Sequence, residues 1–287
     1  MPDLVPQPIG WGGYAKDANT YFFICAFREM TGEVPGEVCT SVGSTGEPRS
    51  ELGTELQRIS DFTSKIARLH KTAISPTGRF GFPVTTYGGR LPQDTTFYDT
   101  WEESFTRGIQ RMIDLEELQH GYDKDMVQLR ALIVEKAILR LLRPLETEGR
   151  SISACLVHGD LWDGNTGVGK ETQEPVIFDA CSSYAHHEYE LAPWRLKRHK
   201  ISGAYIAEYL KHYPASEPKE DFRDRNALYC IRFNLCSSAL YPGELKYREF
   251  VKDEMKALLL SLFGDLEHAK AWQDTAVTGW SDRPSKL

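Results

Sequence analysis

The chain has no run approaching the roughly 18 consecutive apolar residues that a bilayer-spanning helix needs, which argues against a helical membrane protein. Its opening, MPDLVPQPIGWGG, lacks the basic start and apolar centre of a secretory leader. Cysteines are few and scattered: Cys25, Cys39, Cys155, Cys181, Cys230 and Cys236 form no CxxC pair. Free thiols in a reducing compartment, several of them buried, are expected rather than a disulfide framework. Positive charge is also short, with 34 Lys and Arg against 41 Asp and Glu. The net charge of −7 and pI near 5.7 argue against nucleic acid or an acidic membrane surface as the main partner. Repeats and low-complexity blocks are absent. The expectation is a soluble, cytoplasmic protein whose 41% apolar content supports a sizeable core. Nothing in these absences speaks to oligomeric state.

What is present begins with a stretch that reads as two short strands around the Gly-rich GWGGYAK, the second, TYFFICAF, apolar enough to be buried. GWGGYAK matches no phosphate-loop pattern and is expected to be a turn between strands. Leu56, Ile59, Phe62, Ile66 and Leu69 recur three or four apart and predict an amphipathic helix from Glu51 to about His70. Further helices are expected over Trp101 to Leu118 and Asp123 to Arg143, and over most of the chain after Glu188. CLVHGD and PVIFDA read as short strands forming a central ribbon. The sum is a helix-rich α+β protein.

The central ribbon carries the chemistry. LVHGDLWDGN places Asp160 at a strand end and Asn165 five residues later, and the second strand ends on Asp179. The intervening TGVGKETQEP is turn-like, so it returns Asp179 to the neighbourhood of Asn165. Phosphoryl transfer from ATP uses such a set: a carboxylate takes the proton of the attacking hydroxyl, while an amide oxygen and a second carboxylate hold Mg²⁺. Asp160 is then the base, and Asn165 and Asp179 the metal ligands. His158 would brace the loop through a ring nitrogen, and Gly159 supplies the freedom to turn. Competing readings are an Asx-rich turn, a glycosidase carboxylate pair that leaves Asn165 without a role, and a zinc helix at HHEYEL that lacks its second histidine.

LVHGDLWDGN followed by VIFDACSSYAHHEYELA resembles the catalytic and metal-binding loops of fructosamine/ketosamine 3-kinases. These belong to the protein-kinase-like superfamily that includes aminoglycoside and choline kinases. IARLHKTAISPTGRFGF and YPASEPKEDFRDRNALYCIRFNL extend the resemblance over essentially the entire chain, the latter resembling fungal-type members. It implies ATP- and Mg²⁺-dependent phosphorylation of the sugar 3-hydroxyl of ketosamines, on small amines or protein lysines, followed by spontaneous deglycation. It also implies that Trp162 either stacks on the sugar or packs under the loop. Glu188 and Glu190 would brace the loop or contact the substrate amine.

By the same resemblance, residues 1–30 correspond to the last strands and hinge of a small lobe, and residues 31–287 to the helical large lobe. Backbone groups of Ala26, Phe27 and Arg28 would then contact adenine. The family's Gly-rich loop, strand lysine and helix glutamate have no counterpart before this point, and Lys16 is a poor substitute. Either further chain precedes Met1, or a short form has become a binding protein that no longer transfers phosphate. A kinase for another small hydroxylated amine is a further alternative.

Overall fold

The computed structural model describes residues 4–37 and 51–273, so Cys39 lies outside the described residues. The chain opens with an antiparallel ribbon of β1 (Pro8–Tyr14) and β2 (Asp17–Cys25). GWGG is part of β1, and the turn is Ala15–Lys16. Gly12 and Gly13 pair with Phe22 and Tyr21, and a Cβ on Gly12 would sit 3.0 Å from the Phe22 ring. The glycines therefore make room for rings across the ribbon rather than for a turn. TYFFICAF, expected to be buried, is exposed: Tyr21 keeps 75% and Phe23 64% of its surface, and Cys25 is exposed as well. Among the described residues the ribbon pairs only with itself, and its large side chains remain open on both faces.

Helix α1 (Glu51–Thr72) buries Ile59, Phe62 and Ile66 as the periodicity predicts. Leu56 is half exposed and Leu69 only partly covered, because the inner face runs instead through Thr63, Ala67 and His70. A small antiparallel ribbon follows, β3 (Tyr87–Gly88) with β4 (Leu91–Pro92). Helix α2 (Trp101–His120) starts where Thr100 accepts from the Glu103 N–H, with Glu102 and Glu103 favourably placed in its first turn. Helix α3 (Lys124–Leu132), capped by Asp123, runs through a π-helical turn at Ile133–Ala137 into α4 (Ile138–Leu142). The single helix expected over Asp123 to Arg143 is thus interrupted by that wider turn.

The centre differs from expectation in its pairing. Strand β5 (Cys155–Val157) does not pair with the return strand β7 (Pro175–Ile177). Instead β7 pairs with β6 (Thr166–Val168), and β5 pairs with β8 (Ser183–Ala185), both antiparallel. Two three-residue ribbons replace one, because the segment between Val157 and Thr166 spends its length on a loop and a short turn. Helices α5 (Gly203–His212), α6 (Phe222–Leu240), α7 (Lys246–Phe263) and α8 (Leu266–Ala271) complete the chain. The architecture is the helix-rich α+β expected, and no helix among the described residues is long and apolar enough to cross a membrane.

Two cores hold the central ribbons. The larger packs α2, α3, α4, α6 and α7 around β5, with Trp101, Phe105, Ile133 and Tyr229 inside. The smaller joins α1 and α5 to the loop after β5 through Phe62, Ile66, Leu161, Ile177, Trp194 and Tyr209. Trp194 Nε1 donates to the Leu161 carbonyl at 2.8 Å, so the smaller core grips the loop directly after Asp160. Phe62, fully buried against Trp194 and Tyr205, is its centre. We expect Phe62→Ala to cost about 3–5 kcal/mol in urea unfolding; a loss under about 1 kcal/mol would show that this core does not carry the loop.

Candidate active site

Strand β5 delivers His158, Gly159 and Asp160 into a tight bend. Gly159 has φ +80°, and a Cβ there would lie 2.4 Å from the Cys181 carbonyl oxygen, so the position requires glycine. The bend is fastened to the segment after β7. His158 Nε2 donates to the Phe178 carbonyl at 2.8 Å, and its Nδ1 accepts from the Asp160 N–H at 3.3 Å. The Cys181 N–H donates to the His158 carbonyl at 2.9 Å. His158 thus braces the backbone on both sides of the site.

Asn165 closes the arrangement. Its Nδ2 donates to the Asp160 carbonyl (2.9 Å) and to Asp160 Oδ2 (3.0 Å), while its own carbonyl accepts from the Phe178 N–H (3.1 Å). The amide nitrogen must face Asp160, since the reverse would set acceptor against acceptor. Oδ1 is left as the free ligand atom. Asp179 follows Phe178 with φ +58°, a conformation that a short polar side chain tolerates, and its carboxylate is exposed. The structure therefore brings Asp160, Asn165 and Asp179 to one mouth, with a neutral amide oxygen and an exposed carboxylate beside the partly covered Asp160. Hard oxygen ligands of this kind, few and open to water, suit Mg²⁺. Burial pushes the Asp160 carboxyl above its ordinary value, opposed by His158 and by the Asn165 hydrogen bond.

The two glutamates separate. Glu190 is fully buried; its Oε2 accepts from the His158 N–H at 2.5 Å and its Oε1 from the Gly159 N–H at 3.0 Å. His70 Nε2 lies 3.4 Å from Oε2. Burial acts to raise the Glu190 carboxyl, but the hydrogen bonds from His70 and from the His158 N–H hold it below its ordinary value. Glu190 is thus a loop brace. Glu188 neither braces the loop nor faces the mouth: it is buried in a two-pronged ion pair with Arg225 (2.8 and 2.9 Å) and accepts from the Ser216 N–H.

One cavity opens beside the loop and another lies at the β6–β7 turn. The first, of about 390 Å³, is lined by Asp160, Trp162, Cys181, Arg232, Phe233 and Tyr241 among others. Trp162 is half-buried, with its ring over Gly164, where a Cβ would come within 2.3 Å, and 5.2 Å from the His199 ring. Arg232 was not legible from sequence. It is 5% exposed, with its guanidinium over the packed Tyr189 and Phe233 rings (5.7 and 5.5 Å), and Gln93 Oε1 is its hydrogen-bond acceptor. The other cavity, about 480 Å³, is lined by Phe27, Arg28 and Glu29 and by residues 169–174 of the β6–β7 turn. The Ala26 N–H is taken by the Gln7 carbonyl at 2.8 Å, while the Thr31 N–H on the Val168 carbonyl ties this segment to β6.

Behind the loop, His186 and His187 are buried and neutral. Burial and the Arg225 charge depress the first, burial and His186 the second. In the unfolded chain each takes up a proton near pH 6.5. Stability should therefore be complete above about pH 6.5 and fall below it, by up to about 1.4 kcal/mol per pH unit for each ring. Thermal melts from pH 7.5 to 5 should show this slope, shallower in His187→Gln; a flat profile would contradict it.

The sequence profile of the fructosamine kinase family matches residues 51–261. A ketosamine-3-kinase of Mus musculus is 36% identical over 153 residues, covering 53% of this chain and 45% of that protein. A chloroplastic protein-ribulosamine 3-kinase of Oryza sativa is 31% identical over 186 residues, covering 62% and 49%. The chain thus spans about half the length of these curated relatives. Among solved structures, a putative fructosamine-3-kinase from Haemophilus somnus superposes with a TM-score of 0.61 at 17% identity, covering 89% of this chain and 73% of that one. A thermostable aminoglycoside phosphotransferase superposes at 0.55 and 18%, covering 92% and 80%. The fold is the kinase-like one that these proteins share.

Proposed function

Because the chain belongs to the fructosamine kinase family, we propose that it transfers the terminal phosphate of ATP to the 3-hydroxyl of a ketosamine, carried on a small amine or a protein lysine, in the cytoplasm. The observation that carries this reading is the hydrogen-bonded set of Asp160 and Asn165 beside the exposed Asp179. Asp160 accepts the hydroxyl proton as the sugar oxygen attacks the terminal phosphorus, and ADP leaves. A carboxyl raised by burial is a stronger base than an exposed aspartate. Asn165 Oδ1 and Asp179 would hold Mg²⁺, which when bound neutralises phosphate charge. His158 and Glu190 keep Asp160 in register with Asp179. The 3-phosphorylated adduct then decays without the enzyme, releasing the free amine.

The 390 Å³ cavity beside Asp160 is the acceptor site in this reading, with Trp162 offering a ring face to the sugar and Arg232 donors to its oxygens. Backbone at Phe27 and Arg28, joined to β6 through Thr31, would border the adenine. Residues 1–30 act here as the edge of a small lobe, and residues 31–287 as the large lobe that carries the chemistry.

Phosphorus NMR of the full chain with ribulosamine, fructosamine, other hydroxylated amines, ATP and Mg²⁺ tests the proposal. A ketosamine 3-phosphate should form, about 10²–10⁴ times more slowly in Asp160→Asn. The rate should fall on acidification with a midpoint above the ordinary aspartate value of about 3.9. Product only from another amine, no product at all, or an unchanged Asp160→Asn would each overturn it, the second leaving a binding protein. Separately, Arg232→Lys should raise KM for the ketosamine about tenfold and leave KM for ATP unchanged; an unchanged acceptor KM would remove Arg232 from the site.

A further inference from the structure

Glu190, the brace of the catalytic bend, is the last member of a buried line of hydrogen bonds that begins in the larger core. Trp101 Nε1 lies 2.8 Å from Tyr229 Oη, which lies 3.0 Å from His186 Nδ1. His186 Nε2 is 2.9 Å from Ser216 Oγ, and Ser216 Oγ is 3.3 Å from His187 Nε2. His187 Nδ1 is 3.2 Å from Tyr209 Oη, and Tyr209 Oη is 2.7 Å from His70 Nδ1. His70 Nε2 faces Glu190 Oε2.

The direction of every bond follows from the ends. Indole nitrogen only donates and carboxylate only accepts; each hydroxyl between them has one proton to give, and with one proton per ring every imidazole donates at one nitrogen and accepts at the other. Trp101 donates to Tyr229, so the Tyr229 hydroxyl must donate to His186 Nδ1. His186 then carries its proton on Nε2 and donates to Ser216. Ser216 donates to His187 Nε2, which places the His187 proton on Nδ1, aimed at Tyr209. Tyr209 donates to His70 Nδ1, and His70 keeps its proton on Nε2, the atom facing Glu190. Reversal would set a lone pair against the carboxylate at one end and a hydrogen against the indole N–H at the other.

We propose that Tyr209, His187, Ser216, His186 and Tyr229 are positioning residues: their one-way chain holds His70 as a donor to Glu190, and so holds the bend carrying Asp160. The effect on catalysis rests on the kinase reading above; the proton positions do not. The neutral state of His186 and His187 agrees with this arrangement. His186, His187 and Glu188 also have the make-up of a metal site, with ligand atoms within 4.8 Å of one another. But Glu188 is committed to Arg225 and the Ser216 N–H, and His186 Nε2 carries a proton, so a cation would have to displace the arginine.

Long-range proton–nitrogen NMR of the labelled full chain at pH 7 reads the proton positions directly. His186 and His70 should show the Nε2–H form and His187 the Nδ1–H form, unaltered by equimolar Zn²⁺. Any ring in the opposite form, or loss of these signals on adding Zn²⁺, overturns the proposal. Tyr209→Phe removes one hydroxyl and little else. It should let His187 populate both forms, shift the His158 and Gly159 amide signals, and lower kcat about tenfold with KM for ATP within about twofold. Ser216→Ala, further from the loop, should do the same to a smaller degree. Unchanged amide signals and kcat in Tyr209→Phe would overturn the positioning role. If the wild-type rings show the stated forms but no ketosamine is phosphorylated, the chain of bonds stands and the kinase reading fails.

Discussion

The carboxylate of Glu190, buried without access to water, sets the geometry on which everything else at the site depends. Backbone N–H groups of His158 and Gly159 point at it from a bend that no strand ladder could satisfy. Removing one partner of such a buried charge typically costs about 3–5 kcal/mol, because the other is left unpaired. The bend in turn fixes where Asp160 emerges, and Asn165 and Phe178 transmit that position to Asp179 through three further hydrogen bonds. Asp160 and Asp179, the proposed base and metal ligand, are therefore parts of a single backbone arrangement.

The two cores meet at this point. The smaller one holds the loop from the α1 and α5 side through Trp194 and Leu161, and the larger one contributes the Trp101–Tyr229 end of the buried polar line. Polar side chains run through the boundary between them, and nearly all find partners, as buried polar groups must. A site built this way resists small rearrangements, which suits a reaction whose catalysis is mostly positioning. The 390 Å³ cavity is bordered by Trp162 on the loop and Arg232 on α6, and in the proposed reading the sugar carrier would be recognised there.

The spacing of His158, Gly159, Asp160 and Asn165 was legible because it is local: these residues lie in one loop and bond to one another. Asp179 was legible for a less secure reason, since the strand before it pairs with β6 and not with β5 as expected. It still arrives beside Asn165 because β6 begins at the next residue. The choice between Glu188 and Glu190 could not be read, since both lie in one short 3-10 turn and only the packed structure shows which faces the bend. His70, Tyr209 and Arg232 stand 120, 19 and 42 residues from Glu190 in sequence, and no local pattern joins them. TYFFICAF misled because an apolar strand reads as buried from composition alone, whereas burial depends on what covers it.

The account's central claim is that Asp160, Asn165 and Asp179 form one metal–nucleotide centre. Paramagnetic relaxation by Mn²⁺ with a non-hydrolysable ATP analogue tests it without needing turnover. The predicted result is selective broadening of signals from residues 158–166 and 178–181 that requires the nucleotide and is lost in Asn165→Ala and Asp179→Ala. Broadening centred elsewhere, or unchanged in both variants, would contradict it.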